Sequence, residues 1–243
     1  VGGALSFYAA AAVAKTGGVH IFVAEDRDAA AYLLNDFYNL LDEKQVYFFP
    51  SSYKRSAAYG AEDAQGVVQR TTAMNAVRGF TKGYLVVCTY PEALAERVVD
   101  AATLQRDTIA VKLGDKISIA VLEDALADAN FTRVDFVYEP GQYSVRGGIV
   151  DVFSYSESKP YRIDFFGDEV DSIRRFNISS QLSADKLDRV EIVPNLNAGE
   201  APRVSFVQFA GSSATCWFYD ADYVLRRVND LRRKVLADME EPG

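Results

Sequence analysis

The pattern of apolar residues changes twice along this chain, and this change limits the possible folds more than any other feature. From residue 1 to about residue 107, apolar runs typical of buried strands, such as Val19–Ala24 and Tyr84–Thr89, alternate with segments of helical spacing. Strands that alternate with helices are typical of a mostly parallel sheet covered by helices. The first part of the chain is therefore predicted to be an α/β domain.

Local signals in this part predict where its helices lie. Asp26 is a residue type that caps helix N-termini, and it predicts a helix that continues to Leu41. Pro91 suits the first turn of a helix and predicts one over Glu92–Val99. A further helix is predicted over Leu5–Lys15, which is apolar and rich in Ala.

From about residue 108 to residue 195 the pattern is that of an α+β unit. A helix is predicted over Ile117–Ala129, because its apolar residues recur at helical spacing. Short strands separated by turn residues follow in Thr132–Tyr138, Tyr143–Phe176 and Leu187–Val193. Short strands joined by turns favour an antiparallel sheet.

The α/β pattern returns after a linker-like segment at residues 195–202. A buried strand is predicted over Ala214–Tyr219 and a helix over Asp222–Met239. A unit of one type that interrupts a unit of another type indicates an inserted domain. We therefore predict that residues 1–107 and 196–243 form the α/β domain and that residues 108–195 form the insertion.

Side-chain alternation in the strand Tyr161–Phe166 predicts what its two faces carry. One face holds Tyr161, Ile163 and Phe165, and the other holds Arg162, Asp164 and Phe166. If one face of the sheet is in water, the two neighbouring phenylalanines cannot both lie in the core. One of them is then an exposed aromatic beside an arginine, which is the composition of a protein-binding hot spot. A sheet packed on both faces is the alternative.

Composition argues against several classes of function. The net charge of −8 is not that of a surface built to bind nucleic acid. One His and two Cys cannot form a metal site or a Ser-His-Asp or Cys-His group, so no metal and no catalytic residue are expected. No apolar run is long enough to span a bilayer, so no membrane partner is expected. Cys88 and Cys216 lie in apolar runs, which favours a reducing, cytoplasmic compartment.

The ends of the sequence predict a piece of a longer protein. The chain begins at Val1 without a Met and stops at Gly243 directly after Glu-Pro. The apolar start lacks a basic leader, so a buried helix is expected there rather than a signal peptide.

The first candidate site is the glycine-rich start of the chain. A glycine-rich loop before a helix can bind phosphate through backbone N–H groups and the positive end of the helix. Gly2, Gly3, Leu5 and Ser6 occupy this pattern, with Leu5 at the position where a P-loop has its Lys. Leucine can neither neutralise a phosphate nor donate a hydrogen bond to it.

A second part of the same site is predicted at the end of the strand near residue 219. Asp220 stands where a Walker B strand has its Mg²⁺-associated Asp, but Ala221 replaces the catalytic Glu that should follow. Each signal alone is weak. Together they indicate an ATPase scaffold that has lost its chemistry and holds no cofactor, and a working ATPase is the less favoured alternative.

The predicted C-terminal helix is a third candidate, because it is rich in cations. These are Arg226, Arg227, Arg232, Arg233 and Lys234. They could contact phosphates, so a helicase-like nucleic-acid-binding domain that uses this helix is the main alternative function. A solvated helix face with cations near its C-terminus is the favoured interpretation.

Two motifs in the predicted insertion carry a specific resemblance. SVRGGIVDVF (residues 144–153) and PYRIDFFGDEVDSIRRF (residues 160–176) resemble the central domain shared by the nucleotide-excision-repair protein UvrB and the transcription-repair coupling factor Mfd. The resemblance extends more weakly over nearly the whole chain. It implies a degenerate helicase-like α/β domain of the P-loop NTPase type, with a parallel sheet, into which an α+β domain with an antiparallel sheet is inserted.

Two departures favour the Mfd relatives over UvrB. UvrB has an intact P-loop, whereas Leu5 and Ala221 make this chain similar to the degenerate UvrB-like module at the N-terminus of Mfd. UvrB also carries a long aromatic hairpin, and the segment PSSYKRSAAYG at residues 50–60 lacks such a run. The three predicted stretches then correspond to domain 1a, domain 2 and the start of domain 1b.

The resemblance implies a protein-binding function. The inserted domain would bind UvrA, the damage-recognition ATPase, through Arg146, Arg162 and Phe166, with Asp164 orienting Arg162. The chain would recruit UvrA to stalled transcription complexes without catalysing a reaction. RNA polymerase, double-stranded DNA and other domains of the same protein are the further partners implied for the full-length protein, whose ATP-dependent DNA translocase motor lies outside these residues.

One variant follows from this implied surface. Reversing the charge of both arginines and truncating Phe166 is expected to abolish UvrA binding and to leave the melting temperature nearly unchanged.

Overall fold

The chain divides into two compact units in a computed structural model that describes residues 2–53, 63–197 and 201–240. The first unit comprises residues 1–100 and 202–243, and the second comprises residues 101–201. The mixed α/β class predicted from the sequence is confirmed, because one sheet is parallel and the others are mainly antiparallel. The predicted boundaries at residues 107 and 195, with the domain names attached to them, stay predictions.

The helices and strands are numbered in chain order. The helices are α1 (Gly2–Thr16), α2 (Arg27–Leu40), α3 (Ala64–Gly79), α4 (Pro91–Ala95), α5 (Ala101–Asp107), α6 (Ile119–Asp128), α7 (Phe206–Ala210) and α8 (Ala221–Glu240). The strands are β1 (Gly18–Val23), β2 (Val46–Phe48), β3 (Tyr84–Thr89), β4 (Val98–Val99), β5 (Ile109–Lys112), β6 (Thr132–Arg133), β7 (Gln142–Arg146), β8 (Ile149–Val152), β9 (Tyr161–Phe166), β10 (Glu169–Phe176), β11 (Ser183–Lys186), β12 (Arg189–Ile192), β13 (Arg203–Val204) and β14 (Thr215–Phe218). Within the described ranges, no helix is long and apolar enough to cross a membrane.

A four-stranded parallel sheet forms the centre of the first unit, in the order β14–β1–β3–β2. The central strands β1 and β3 are buried over almost their whole length, as their apolar runs predict. The burial predicted for the strand near residue 216 is wrong. Among the described residues, β14 lies at the edge of the sheet with β1 as its one neighbouring strand, and Thr215 and Phe218 are exposed.

The start of α2 confirms the capping prediction. The backbone N–H of Ala29 donates to Asp26 Oδ1 at 2.9 Å, which satisfies one of the free N–H groups at the helix N-terminus. The helix then continues to Leu40.

The helix predicted over Glu92–Val99 is wrong in its second half. α4 ends at Ala95, and Val98–Val99 forms β4, which pairs antiparallel with β13. Both valines are buried. Pairing with a strand far along the chain, together with burial, outweighs the local helical signal.

A six-stranded sheet forms the centre of the second unit, in the order β11–β10–β9–β8–β7–β6. Its strands are antiparallel except for the parallel pair β6–β7. The strand predicted in Leu187–Val193 is observed as β12, but it pairs with β5 in a separate two-stranded sheet. The antiparallel sheet predicted from the short strands is thus divided in two.

One face of the six-stranded sheet carries the core of this unit. α6 contributes Leu122 and Leu126, and the β5–β12 pair contributes Val111 and Ile192. The sheet contributes mainly alternate residues of its central strands, namely Tyr143, Val150, Val152, Tyr161, Ile163, Val170 and Ile173. The opposite face of these strands carries Arg146, Asp151, Arg162 and Asp164, which are charged residues of the two motifs.

Candidate functional site

The Arg-Gly-Gly motif forms the tight turn between β7 and β8. Arg146 is the last residue of β7, and Gly147 has φ +59°, a left-handed conformation that favours glycine. A Cβ at Gly148 would lie 3.0 Å from the carbonyl oxygen of Phe165, so β9 can approach this closely because the residue is glycine. The two glycines therefore allow the tight turn after β7 and the close approach of the start of β8 to β9.

The two faces of β9 confirm the prediction from alternation. Tyr161 and Ile163 lie in the core of the unit, and Phe165 packs against it. Phe166, on the other face, is 84% exposed. The exposed aromatic predicted from the pair of phenylalanines is therefore Phe166, and a sheet packed on both sides is excluded at this residue.

Asp151 is a buried carboxylate shared by the two arginines of the motifs. It lies directly opposite Arg162 in the β8–β9 register, and its side chain is 2% exposed. Arg162 donates from Nε to Oδ1 at 2.7 Å and from Nη2 to Oδ2 at 2.8 Å, and Arg146 donates from Nη2 to Oδ2 at 2.5 Å. These charge-assisted bonds offset the cost of removing the carboxylate from water. One negative charge between two positive charges leaves the group positive toward a partner.

Arg162 is held on several sides and is 14% exposed. Its guanidinium also donates to the side chain and the backbone carbonyl of Gln181, at 3.2 and 3.4 Å, and lies 4.4 Å from the ring centroid of Phe176. Hydrogen bonding to Asp151 raises the pKa of Arg162. Most of the hydrogen-bonding capacity of this arginine is therefore used within the unit.

Arg146 is more available to a partner, since its side chain is 37% exposed. A guanidinium has five N–H donors, and the hydrogen bond described for Arg146 is the one from Nη2 to Asp151. Its guanidinium carbon lies 4.8 Å from the ring centroid of Phe136. The two arginines thus differ in accessibility: Arg162 is held by several contacts within the unit, and Arg146 is more exposed.

Asp164 does not orient Arg162 as expected. Its carboxylate accepts hydrogen bonds from the hydroxyl of Ser172 and from the guanidinium of Arg174, both on β10. Asp151 takes the expected role instead, because the β8–β9 register places it directly opposite Arg162.

The predicted nucleotide site differs from a P-loop in its local structure. Gly2 and Gly3 lie in the first turn of α1, whereas a P-loop would place them in a loop before the helix. Leu5 is exposed, and the hydroxyl of Ser6 donates to Asp36 Oδ2 at 2.6 Å. The Ser6 hydroxyl is therefore hydrogen-bonded to Asp36, whereas a P-loop directs this hydroxyl to Mg²⁺.

A cleft of about 660 Å³ lies at this point, between α1, α2 and the ends of β1 and β14. Its walls are largely apolar, and its charged lining residues are Glu25 and Asp36. Asp220 and Ala221 are not among its lining residues. Asp220 instead accepts from the backbone N–H of Tyr223 at 2.8 Å, where it caps the N-terminus of α8, and Ala221 begins that helix.

The basic C-terminal helix is observed as α8, and part of its charge is paired. Arg227 donates from Nη2 and Nε to Glu92 Oε1 at 2.8 and 3.1 Å, and these bonds raise its pKa. Arg233 lies 3.9 Å from Asp230. The side chain of Lys234 lies outside the described part of the chain, as do residues 54–62 of the segment compared with the UvrB hairpin.

The sequence of the second unit matches a known family model. Residues 109–197 match the family model of the UvrB interaction domain, and this range includes Arg146, Asp151, Arg162 and Phe166. This part of the second unit is similar to the UvrB interaction domain. The resemblance carried by the SVRGG and YRIDFF motifs is thereby confirmed.

The chain is also similar to several transcription-repair-coupling factors. The chain is 27% identical to the transcription-repair-coupling factor of Bacillus subtilis (strain 168) over 194 residues, which are 79% of the chain and 16% of the relative. It is 35% identical to that of Haemophilus influenzae over 42% of the chain and 9% of the relative, and 34% identical to that of Escherichia coli (strain K12) over 46% and 10%. The chain therefore spans about a sixth or less of the length of these relatives.

Sequence reasoning missed two residues of the site in the UvrB interaction domain. Asp151 was recognised as part of the motif but not as the partner of both arginines, although its position in the apolar run IVDVF marks it as a buried charge that needs partners. Phe136 was not singled out, because its contact with Arg146 depends on how β6 and the residues after it lie beside β7.

Proposed function

We propose that this chain is a non-catalytic module of a transcription-repair-coupling factor and that it recruits UvrA to stalled transcription complexes. The UvrB interaction domain at residues 109–197 supports a role in DNA repair through binding of UvrA. The observation that carries the proposal is the face on which Asp151 holds Arg146 and Arg162 together with the exposed Phe166.

This face has the chemistry of a protein-binding surface. A guanidinium group can bind a carboxylate with two parallel hydrogen bonds. Asp151 holds the guanidinium groups of Arg146 and Arg162 in place before the partner binds. Preorganisation lowers the conformational entropy that is lost on binding. Phe166 adds apolar area, since a buried aromatic side chain removes about 150–250 Å² from water.

The first unit serves in this proposal as a helicase-like scaffold without ATP chemistry. Its cleft carries the carboxylates of Glu25 and Asp36, and its lining residues within the described part of the chain include no Lys or Arg. Phosphate groups would be repelled there. In this proposal, the DNA translocase motor and the contacts with RNA polymerase and double-stranded DNA belong to other parts of the full-length protein. The proposed compartment is the cytoplasm.

Nucleic-acid binding through α8 is the weaker candidate. The ion pair between Arg227 and Glu92 uses one of its cations within the chain, and the whole sequence has a net charge of −8. Both observations lower the attraction for phosphates.

The structure changes which variants should test the surface. Replacing Arg162 with Glu would place a second carboxylate against the buried Asp151, so this variant is expected to lower the melting temperature rather than to leave it unchanged. Arg146→Ala leaves the paired bonds between Arg162 and Asp151 in place. Arg146 and Phe166 are therefore the better positions.

Titration calorimetry of the purified chain with UvrA tests the proposal. Phe166→Ala and Arg146→Ala are each expected to weaken binding by about tenfold or more, because both remove groups central to the face. Val121→Ala, an exposed aliphatic position on α6, is the matched control and should bind like the wild type. A wild-type chain that does not bind UvrA would overturn the proposed function, and equal binding by all three variants would overturn the site.

A further inference from the structure

A pocket of about 400 Å³ lies beside Arg146 on the β6 side of the sheet. Its lining residues are Arg133, Val134, Asp135, Phe136, Val145 and Arg146. It contains an arginine of the proposed UvrA-binding face, but it extends away from β9 and Phe166. The motifs that identified the face do not include the segment from Arg133 to Phe136.

Phe136 forms the apolar wall of this pocket and is 49% exposed. It follows β6, the edge strand of the sheet, and its ring lies against the guanidinium of Arg146 with a distance of 4.8 Å from ring centroid to guanidinium carbon. A large aromatic that remains half exposed beside a cation has the character of an interface anchor.

Arg133 and Arg146 both line this pocket and keep N–H donors to spare, and Arg146 is the one that lies against Phe136. Arg133 is paired with Glu123, with 2.6 Å between Nη1 and Oε1. Asp135 adds one negative charge to the wall. Arg146 uses Nη2 for Asp151 and can direct further N–H groups to a ligand beside the ring of Phe136. The pocket thus combines a guanidinium held against an aromatic ring, that of Arg146, with a second, exposed guanidinium, that of Arg133.

The pocket also extends the proposed face across the sheet, from β9 toward the edge strand β6. Phe136 follows β6 and Phe166 ends β9, and these two strands are three strand spacings of about 4.8 Å apart in the sheet, or about 14 Å. The two arginines lie on the strands between or beside them, on β7 and β9. A patch of this width fits within a protein–protein interface of ordinary size.

We infer that Phe136 is a second aromatic anchor for UvrA and that the pocket accepts an acidic side chain of UvrA, whose carboxylate pairs with Arg146 while its aliphatic part packs on Phe136. This inference rests on the proposed function, because it assumes that UvrA occupies the face. It assigns Phe136 a direct contact with UvrA, and it identifies the UvrA residue that pairs with Arg146 as acidic.

Calorimetric titration of the chain with UvrA tests the anchor. Phe136→Ala is expected to weaken binding by about tenfold, and Phe136→Leu, which keeps apolar volume, by less. Tyr138→Ala is the matched control, since Tyr138 is an exposed aromatic two residues away that does not line the pocket. If Phe166→Ala weakens binding while Phe136→Ala and Phe136→Leu both bind like Tyr138→Ala, the inference fails and the proposed function stands.

A double-mutant cycle separates contact with UvrA from mere positioning of Arg146. If Phe136 touches UvrA, Phe136→Ala should weaken binding further in an Arg146→Ala background. No further loss in that background would show that the ring acts only through Arg146, and the anchor role would be overturned.

Asp135→Asn tests the acidic character of the partner residue. Removing a like charge from the pocket wall should tighten binding of a carboxylate by about two- to fivefold, a size typical of exposed charge interactions. Weaker binding by Asp135→Asn would point to a basic side chain in the pocket and would overturn the assignment.

Discussion

Asp151 sets the geometry of both arginines, and a single atom exchange tests this role. Asp151→Asn keeps the size of the side chain but replaces one accepting oxygen with a donating NH₂ group, which then faces a guanidinium. The variant is expected to lower the free energy of unfolding by about 2–4 kcal/mol, because two arginines lose their shared countercharge. It should also weaken UvrA binding, since the guanidinium groups are no longer held. Urea denaturation and calorimetry measure the two effects.

Asp168→Asn is the control for this variant, because Asp168 is an exposed carboxylate in the β9–β10 turn. Its effect on stability should stay within about 0.5 kcal/mol. A similar small effect for Asp151→Asn would show that the arginines do not depend on the shared carboxylate.

Residue-level reasoning from the sequence reached the faces of β9 but not the partners across strands. Alternation placed Arg162, Asp164 and Phe166 together, because the side-chain period of a strand is a local property. The choice between Asp151 and Asp164 as partner of Arg162 depends on the register of β8 against β9, which places Asp151 directly opposite Arg162. Register is not encoded in the alternation of one strand.

At the scale of elements, a buried ion pair ties α3 and the end of α4 to the segment after β2. Arg70 is almost fully buried, donates to the carbonyl oxygens of Pro50 and Ala93 at 2.7 and 3.2 Å, and lies 3.5 Å from Glu96 Oε2. Burial lowers the pKa of Arg70, and the nearby charge of Glu96 opposes this change. Glu96 also accepts from the backbone N–H and the hydroxyl of Ser52.

Glu96→Gln is therefore expected to destabilise the first unit. It removes the countercharge of a buried guanidinium and weakens the bonds to Ser52, which should cost about 2–3 kcal/mol of unfolding free energy. UvrA affinity should not change, because the proposed binding residues belong to the second unit. Glu25→Gln, at an exposed carboxylate, serves as the control in the same urea titration. A loss of UvrA affinity without a loss of stability would contradict this assignment.

The elements that local signals define could be predicted, and those that depend on distant pairing could not. The cap at Asp26 and the apolar runs of β1 and β3 are local, and they were predicted correctly. The strand at Val98–Val99, the edge position of β14 and the pairing of β12 with β5 each require a partner far along the chain. Local pattern carries no information about that partner.

At the scale of the whole molecule, the two kinds of candidate site lie in different units. All the proposed UvrA-binding residues belong to the unit of residues 101–201, and the cleft at the predicted nucleotide site belongs to the unit of residues 1–100 and 202–243. The charges differ accordingly, since the face carries available arginine and the cleft carries two carboxylates. Within the described part of the chain, the cleft thus has no Lys or Arg in its lining to bind phosphate, and the proposed recognition of acidic protein groups is assigned to the other unit.

This division predicts that the chain does not bind ATP with useful affinity. Calorimetry should give a dissociation constant weaker than about 1 mM, because Glu25 and Asp36 repel phosphate and Ser6 is bonded to Asp36. Leu5→Lys should not restore binding, since one added cation leaves both carboxylates and the Ser6 bond in place. Micromolar binding by the wild type would revive the ATPase alternative, and micromolar binding by Leu5→Lys alone would show that the lost lysine is the whole defect.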